Sequence, residues 1–289
     1  MLEEARDVEE NWDYEIKPKS SLLDLHLNEV WAYRDLLWLF VKRDFSAQYK
    51  QTILGPVWHL VQPLFTTLVF LLIFGKIANM PTDGIEPKIL FYMSGITIWN
   101  YFSSCLSATS NTFVANAGIF GKVYFPRLVL PLSTVASNII KFGIQFVLLL
   151  VFMAWFGFKN GTFHFGFSWL LIPVLVLMMA GLGLGLGIII SSLTTKYRDF
   201  TVLIGFAVQL LMYATPVAYP LSFLEGKSYA AWIQWNPLTP IVEAFRYSLF
   251  GKGSFDALQL TYSGGIILLL LFVGVVVFSR VEKSFMDTV

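Results

Sequence analysis

The sequence predicts an all-α polytopic membrane protein: six transmembrane helices, an N-terminal amphipathic interface helix and a re-entrant outer helical hairpin. Three observations carry that expectation. Of the 289 residues, 56% are hydrophobic and only 13% charged, about half the charged share of soluble domains. A soluble fold of this length has no interior that could hide so much apolar surface. Six apolar stretches approach or exceed the roughly 20 residues that cross a bilayer core. The basic residues, finally, alternate between successive loops as the positive-inside rule requires.

The elements follow in chain order. Residues 1–27 are acidic and polar and lack the basic start and short apolar run of a signal peptide, so this tail is expected in the cytosol. In residues 28–45, NEVWAYRDLLWLFVKRDF, Val30, Tyr33, Leu37, Phe40 and Val41 recur at helical spacing with Asp35 and Lys42 opposite. Trp31 and Trp38 widen the stripe. The pattern suits an interfacial helix over 28–50, or a juxtamembrane helix anchoring the first span, and the two readings are compatible. A six-span domain over 51–289 follows, with spans at 57–77, 89–108, 128–156, 169–193, 201–218 and 262–279. The third is longer than needed and carries Pro131 and Lys141, so a tilt or kink is expected there. A charge inside a span faces protein or water, which places Lys141 and Gln145, one turn apart, against the bundle or a pore. Residues 219–253 are too apolar for a loop and too broken by Pro220, Pro237 and Pro240 for a span. Two short helices dipping back into the membrane fit, against protein or a cavity.

With six spans both termini share one side. Placing them in the cytosol puts Arg34, Lys42, Arg43, Lys50, Lys122, Arg127, Lys196, Arg198, Arg280 and Lys283 among the inner cations. Only Lys76, Lys88, Lys159, Lys227, Arg246 and Lys252 remain outside.

Phosphate-binding motifs fail on spacing. GLGLGLG at 181–187 would need a glycine at 186 for a dinucleotide fold, and Leu186 stands there; GKS at 226–228 would need one at 221, occupied by Leu221. An ATPase within this chain is therefore not expected. The glycines read instead as two small-xxx-small pairs, Gly181/Gly185 and Gly183/Gly187, on a helix crowded on more than one side; a hinge is the second reading. The lone Cys105 excludes an intramolecular disulfide, and His26, His59 and His164 have no metal-ligand spacing, so no metal is expected. A net charge of +1 gives no reason to expect nucleic acid. No nucleophile–base pair stands out, so no catalytic residue is assigned. Ser94, Thr97, Asn100, Ser133 and Asn138 read as interhelical hydrogen-bond partners. Glu243 and Arg246, three apart, can pair on one helix face as a structural bridge or a gate contact. Trp155, Trp169, Trp232 and Trp235 suit an interfacial belt, whereas Trp58, Phe65, Trp99 and Tyr101 lie in spans or at their ends, where aromatic faces could also stack on sugar rings.

Four stretches in order, QYKQTILGPVWHLVQPL (48–64), GKVYFPRLVLPLS (121–133), TTKYRDF (194–200) and WNPLTPIVEAFRYSLF (235–250), give the chain from about residue 25 onward a family likeness. It resembles the permease subunit of ABC-2-type polysaccharide exporters, particularly those of O-antigen (lipopolysaccharide) and teichoic acid. The resemblance implies a multi-pass protein of the cell inner (cytoplasmic) membrane, working as a homodimer with two copies of a separate ABC ATPase subunit. ATP and Mg would sit on that subunit, and this chain would bind no cofactor. The cargo would be a polyprenyl-diphosphate-linked glycan, passing between the two protomers amid membrane lipid. The segment 28–45 would be the gate helix, with Arg34, Lys42, Arg43 and Lys50 available to the diphosphate, although positive-inside anchoring explains the same residues. Within the loop 111–127, Asn116, Ile119, Phe120 and Lys122 would couple to the ATPase, and replacing Phe120 and Lys122 would uncouple hydrolysis while sparing the fold. Trp58, Gln62, Phe65, Trp99, Tyr101, Gln209 and Tyr213 would line the channel. Trp235, Glu243 and Arg246 would form the outer gate within 219–250. The alternative keeps the architecture with a small lipid, drug or haem as cargo. A membrane-embedded transferase acting on a polyprenyl-linked sugar would call for acidic or histidine clusters at a membrane face, and none stands out; an ion-coupled transporter would call for intramembrane carboxylates, and the spans hold no Asp or Glu.

Overall fold

A computed structural model describes residues 27–285 except 51, 54, 121, 122, 124, 161–165, 196, 198, 225 and 229. Lys122 and the tail before Leu27 thus lie outside the described residues. The described residues are helical with no strand. Helices α1 (Leu27–Ala32) and α2 (Arg34–Tyr49) form the N-terminal segment, interrupted at Tyr33. A long rod follows: a 3-10 turn, α3 (Trp58–Phe70) and a π-helical end, Leu71–Ile77. Pro63 inside α3 supplies no N–H, and Thr67 Oγ1 returns a hydrogen bond to its carbonyl at 2.7 Å. Helices α4 (Lys88–Ser110) and α5 (Thr112–Phe120) meet at Asn111.

Helix α6 (Val129–Asn160) is the longest element. Pro131 falls in its first turn, where no intrahelical donor is needed, so the proline starts the helix without breaking it. Helices α7 (Leu171–Thr194), α8 (Phe200–Tyr213), α9 (Ala230–Gln234), α10 (Leu238–Phe250) and α11 (Ala257–Phe285) complete the chain. Gly251 ends α10 at φ 64°, with its N–H on Tyr247 O. Asp256 Oδ1 caps α11 by accepting from Leu258 N at 2.8 Å.

Four of the described helices are long and apolar enough to cross a membrane: Gly55–Ile77, Val129–Lys159, Phe167–Thr194 and Ala257–Val281. The expected second span is α4. Its 23 residues carry Ser94, Thr97, Asn100, Ser103 and Ser104, and it is buried on almost every side because it is the central post, packed against α3, α6, α7, α8 and α10. The expected fifth span, 201–218, ends early. Helix α8 stops at Tyr213, just before Thr215-Pro216, where a residue preceding proline is driven out of the helical region. Its 14 residues rise about 21 Å, short of a core of about 30 Å. The outer hairpin is unequal: α9 has five residues, whereas α10 has 13 and is buried along most of its length against α4 and α7.

The glycine run of α7 packs on two faces. A Cβ at Gly183 would fall 2.8 Å from Cys105 Cβ and one at Gly187 2.6 Å from Thr109 Cβ, both on α4. On the other side a Cβ at Gly185 would lie 3.1 Å from the Leu270 carbonyl carbon of α11. Each pair therefore admits one neighbouring helix at backbone distance. A second, smaller core beside α5 joins Phe40 of α2, Phe113 and Phe120 of α5, Phe125 of the segment between α5 and α6, and Phe278 of α11.

Candidate functional site

Three apolar helices each turn a polar stripe toward one shared space. On α6 the stripe is Asn138, Lys141, Phe142 and Gln145; on α3 it is His59, Gln62 and Pro63; on α4 it is Asn100, Tyr101, Ser103 and Ser104. Spacings of three and four keep each set on one helical face. Together with Gln48 of α2 they enclose a cavity of 280 Å³. Asn100 Nδ2 donates to Gln145 Oε1 at 3.3 Å, tying α4 to α6 across it. His59 Nε2 is buried and has no hydrogen-bond partner, whereas Tyr101 Oη and Asn138 Nδ2 are buried against the Cys105 thiol, a weak partner. An orphaned polar atom costs about 1–3 kcal/mol when buried, and a polar cavity of this volume has room for the water that would satisfy it. Among the described residues that line it, Lys141 is the only cation and none is a carboxylate. Asp44 acts on Lys141 through space but is itself bound to Arg43 at 2.7 Å. Helix α2 walls one side: the Tyr49 ring meets His59 edge-on, centroids 5.5 Å apart, and burial pushes the Tyr49 phenol above its ordinary pKa.

A second constellation lies in α10. Arg246 Nη1 donates to Glu243 Oε1 at 3.0 Å and to Pro216 O at 2.6 Å, Nη2 donates to Val217 O at 2.7 Å, and the guanidinium sits 3.7 Å from the Phe91 ring centre. Glu243 and Arg246 are 3% and 1% exposed. Burial raises the Glu243 carboxyl pKa even against the pull of Arg246. The pair bolts α10 to α4 and to the turn after α8. Trp235, expected beside it, stands apart on the surface with its ring edge-on to Tyr262 at 5.3 Å.

The expected channel residues divide three ways. Gln62 and Tyr101 line the cavity; Trp58, Phe65, Gln209 and Tyr213 are exposed; Trp99 is 4% exposed, packed on Phe102 in the core, and presents no surface to a channel. On α2, Arg34, Lys42 and Lys50 are exposed, while Arg43 is engaged by Asp44 and lies over Phe40. On α5, Asn116 and Ile119 are half-buried. Phe120 is 4% exposed between Phe113, Phe125 and the Arg127 guanidinium, because the last turn of α5 faces the small core. Burial this complete runs against the expectation that replacing Phe120 leaves stability untouched. The cavity residues Gln48, His59, Ser103 and Ser104 had no role from sequence, although polar residues at helical spacing within apolar spans are the signal that marks them.

The profile of the ABC-2 type transporter family matches residues 35–250, which takes in every wall of the cavity and the Glu243–Arg246 pair. The chain is 27% identical over 257 residues to an O-antigen export system permease protein RfbA of Klebsiella pneumoniae, covering 88% of this chain and 94% of that protein. It is 26% identical over 265 residues to the protein of the same name from Myxococcus xanthus, covering 91% and 98%. To the polysialic acid transport protein KpsM of Escherichia coli it is 22% identical over 253 residues, covering 85% and 93%. Through a profile that spans most of its length and relatives matched nearly end to end, this chain belongs to the ABC-2 type transporter family.

Proposed function

We propose that this chain is the transmembrane permease subunit of an ATP-driven ABC exporter, moving a lipid-linked polysaccharide of the O-antigen kind from the cytosol across the inner membrane. Two copies enclose the channel and two copies of a separate ATPase subunit bind ATP and Mg. The spans are the Gly55–Ile77 rod, α4, α6, α7, α11 and α8 continued through the apolar turn 214–218 that follows it, with both termini cytosolic and α9–α10 roofing the outer side. The observation that carries this reading is the cationic, amide- and hydroxyl-lined cavity among apolar helices, in a chain whose relatives are named for O-antigen and polysialic acid transport.

Helix α2 gates that cavity, and α5 receives the stroke of the ATPase. The Phe120 and Phe125 rings lie 5.9 Å apart, and Phe125 and Phe40 5.7 Å apart, so a shift of α5 reaches α2 through packed aromatic rings. ATP shifts the equilibrium through its differential affinity for the closed ATPase dimer. Docking falls to the outward face of α5, where Val114 is 49% exposed beside Ala115 and Gly118. Val114→Asp is expected to cut cargo-stimulated ATP hydrolysis at least about tenfold, the effect of 1.4 kcal/mol at a contact hot spot, with the permease's melting temperature unchanged. Phe120→Ala is expected to lower that temperature instead, since truncating a buried Phe costs about 3–5 kcal/mol.

The function is tested by co-expressing the chain with an ABC ATPase encoded beside it and measuring hydrolysis in lipid with and without polyprenyl-linked glycan. Co-purification with vanadate-sensitive hydrolysis that responds to the glycan is the expected result. A complex that responds to a drug, haem or small lipid and ignores the glycan would overturn the cargo. No complex with any neighbouring ATPase would overturn the exporter reading.

A further inference from the structure

We propose that the α3/α6 face holds the junction of a lipid carrier and its first sugar: Lys141 binds the phosphate, the surrounding amides and hydroxyls bind the sugar, and the hydrocarbon chain lies in an apolar groove along α6. This rests on the exporter reading and assigns its substrate a site within one protomer.

The groove is a separate observation from the cavity. It has a volume of 510 Å³ and is lined by Leu60 of α3 and by Ile140, Gly143, Ile144, Val147 and Val151 of α6, among others. The two spaces use the same turns of the same two helices. Leu60 follows His59, and Ile140 and Ile144 alternate with Lys141 and Gln145, about 100° around α6 at 3.6 residues per turn. One wall of the pair is therefore charged and polar, the other almost wholly apolar. A Cβ built on Gly143 meets nothing within 4 Å, so the groove is open where it comes level with the cavity.

An amphipathic ligand with an anionic head matches that division. Lys141 makes no ion pair with any described residue, Asp44, which acts on it through space, is held by Arg43, and no described acidic side chain lines the cavity, so the site suits an anion. A bare phosphate would use few of the remaining groups. Gln48, Gln62 and Ser104 supply donors and acceptors of the kind that sugar hydroxyls and amides use, and Asn100, Gln145 and Ser103 keep further capacity beyond the Asn100–Gln145 bond and the bond from Ser103 to the Asn100 carbonyl. Asn138, 2% exposed, lines the cavity with the weakly bonding Cys105 thiol beside it. A phosphate-linked glycosyl lipid uses the cation, the neutral polar groups and the groove at once; a glycerophospholipid leaves most of the amides idle.

The test uses the intact permease–ATPase complex in lipid nanodiscs. Its probes are a fluorescent polyprenyl diphosphate bearing one sugar and the same sugar diphosphate without the chain. Lys141→Gln is expected to weaken binding of both at least tenfold, and Lys141→Arg to restore most of it. Gly143→Leu, which fills the groove, is expected to weaken the long-chain probe at least fivefold and leave the chainless one unchanged. Gly265→Leu, at an equally open glycine of α11, is expected to bind both as wild type does. Wild-type affinity in Lys141→Gln or in Gly143→Leu overturns the site. Competition by phosphatidylglycerol at equal concentration overturns it in favour of a bilayer phospholipid. In either case glycan-stimulated hydrolysis by the wild-type complex would leave the exporter reading standing. A wild-type complex that neither binds the long-chain probe nor responds to glycan would overturn both.

Discussion

Arg246→Met is expected to lower the melting temperature of the detergent-purified permease by about 10 °C. The estimate combines about 3–5 kcal/mol for removing one partner of a buried ion pair with about 2–4 °C per kcal/mol for a chain of this size class. The side chain holds three acceptors: Glu243 Oε1, Pro216 O and Val217 O. It also covers the Phe91 face. Methionine replaces the volume and none of the donors, leaving a buried carboxylate with only a 3.4 Å hydrogen bond from Ser254 and two carbonyls without their guanidinium. Arg246→Lys is expected to recover only part, because one ammonium cannot span the fork of acceptors. Glu243→Gln is milder, since the guanidinium keeps both carbonyls. The double variant Glu243→Leu, Arg246→Met is expected to be more stable than Arg246→Met alone, the buried orphan charge being gone. A double variant no better than the single would show that the carbonyls, and not the carboxylate, dominate. The same cage limits Gly95, where a Cβ would lie 2.6 Å from Arg246 Nη2.

That pair was legible in the sequence from its spacing alone, because two oppositely charged residues three apart on one helix have few other ways to survive burial. The apolar spans were legible for a similar reason: length and composition are local properties. What could not be read was helix rotation. Trp99 and Tyr101 are two residues apart on a helix buried all round, and only the packing of α6 decides that Tyr101 meets the cavity while Trp99 is sealed in the core. The cavity itself assembles residues from four helices, and no periodicity along one helix reports the face of another. Phe120 was assigned by its place in a loop, whereas its environment depends on which face of α5 meets Phe125 and Arg127. The length of α8 was overestimated because apolar composition continues past Tyr213, although Pro216 already marked the stop.

Substitution of the α7 glycines is the other large expected effect, and its sign is a contest between two terms. Replacing a helical glycine with alanine gains about 1 kcal/mol of helix propensity. Overpacking a close contact costs about 1–3 kcal/mol, occasionally more. At Gly187 the new Cβ would meet Thr109 Cβ at 2.6 Å and Leu106 O at 3.3 Å; at Gly183 it would meet Cys105 Cβ at 2.8 Å and backbone atoms of Leu106 and Phe102 at 3.2 Å. Neither a Cβ nor a backbone atom can turn away, so α4 and α7 must separate, and in lipid their association rests on close packing. Clash wins at both sites. Gly181 is the internal comparison: its contact is Ile267 Cγ2 at 2.8 Å, a branch methyl that moves only with the stiff χ1, but no backbone atom or Cβ crowds it, so Gly181→Ala should be the milder change. At Gly205, where a Cβ meets nothing, propensity acts alone and alanine should stabilise. The expected order of melting temperatures is therefore Gly205→Ala above wild type, Gly181→Ala close to it, and Gly183→Ala and Gly187→Ala below, with the double variant lowest. Because α4 also carries Asn100, Ser103 and Ser104 into the cavity, separation from α7 moves one cavity wall. On the proposed exporter reading, the double variant should accordingly lose a hydrolytic response to glycan before it loses the ATPase subunit. If Gly183→Ala and Gly187→Ala melt as wild type does, α4 and α7 slide easily past each other, and the glycines serve bending in place of packing.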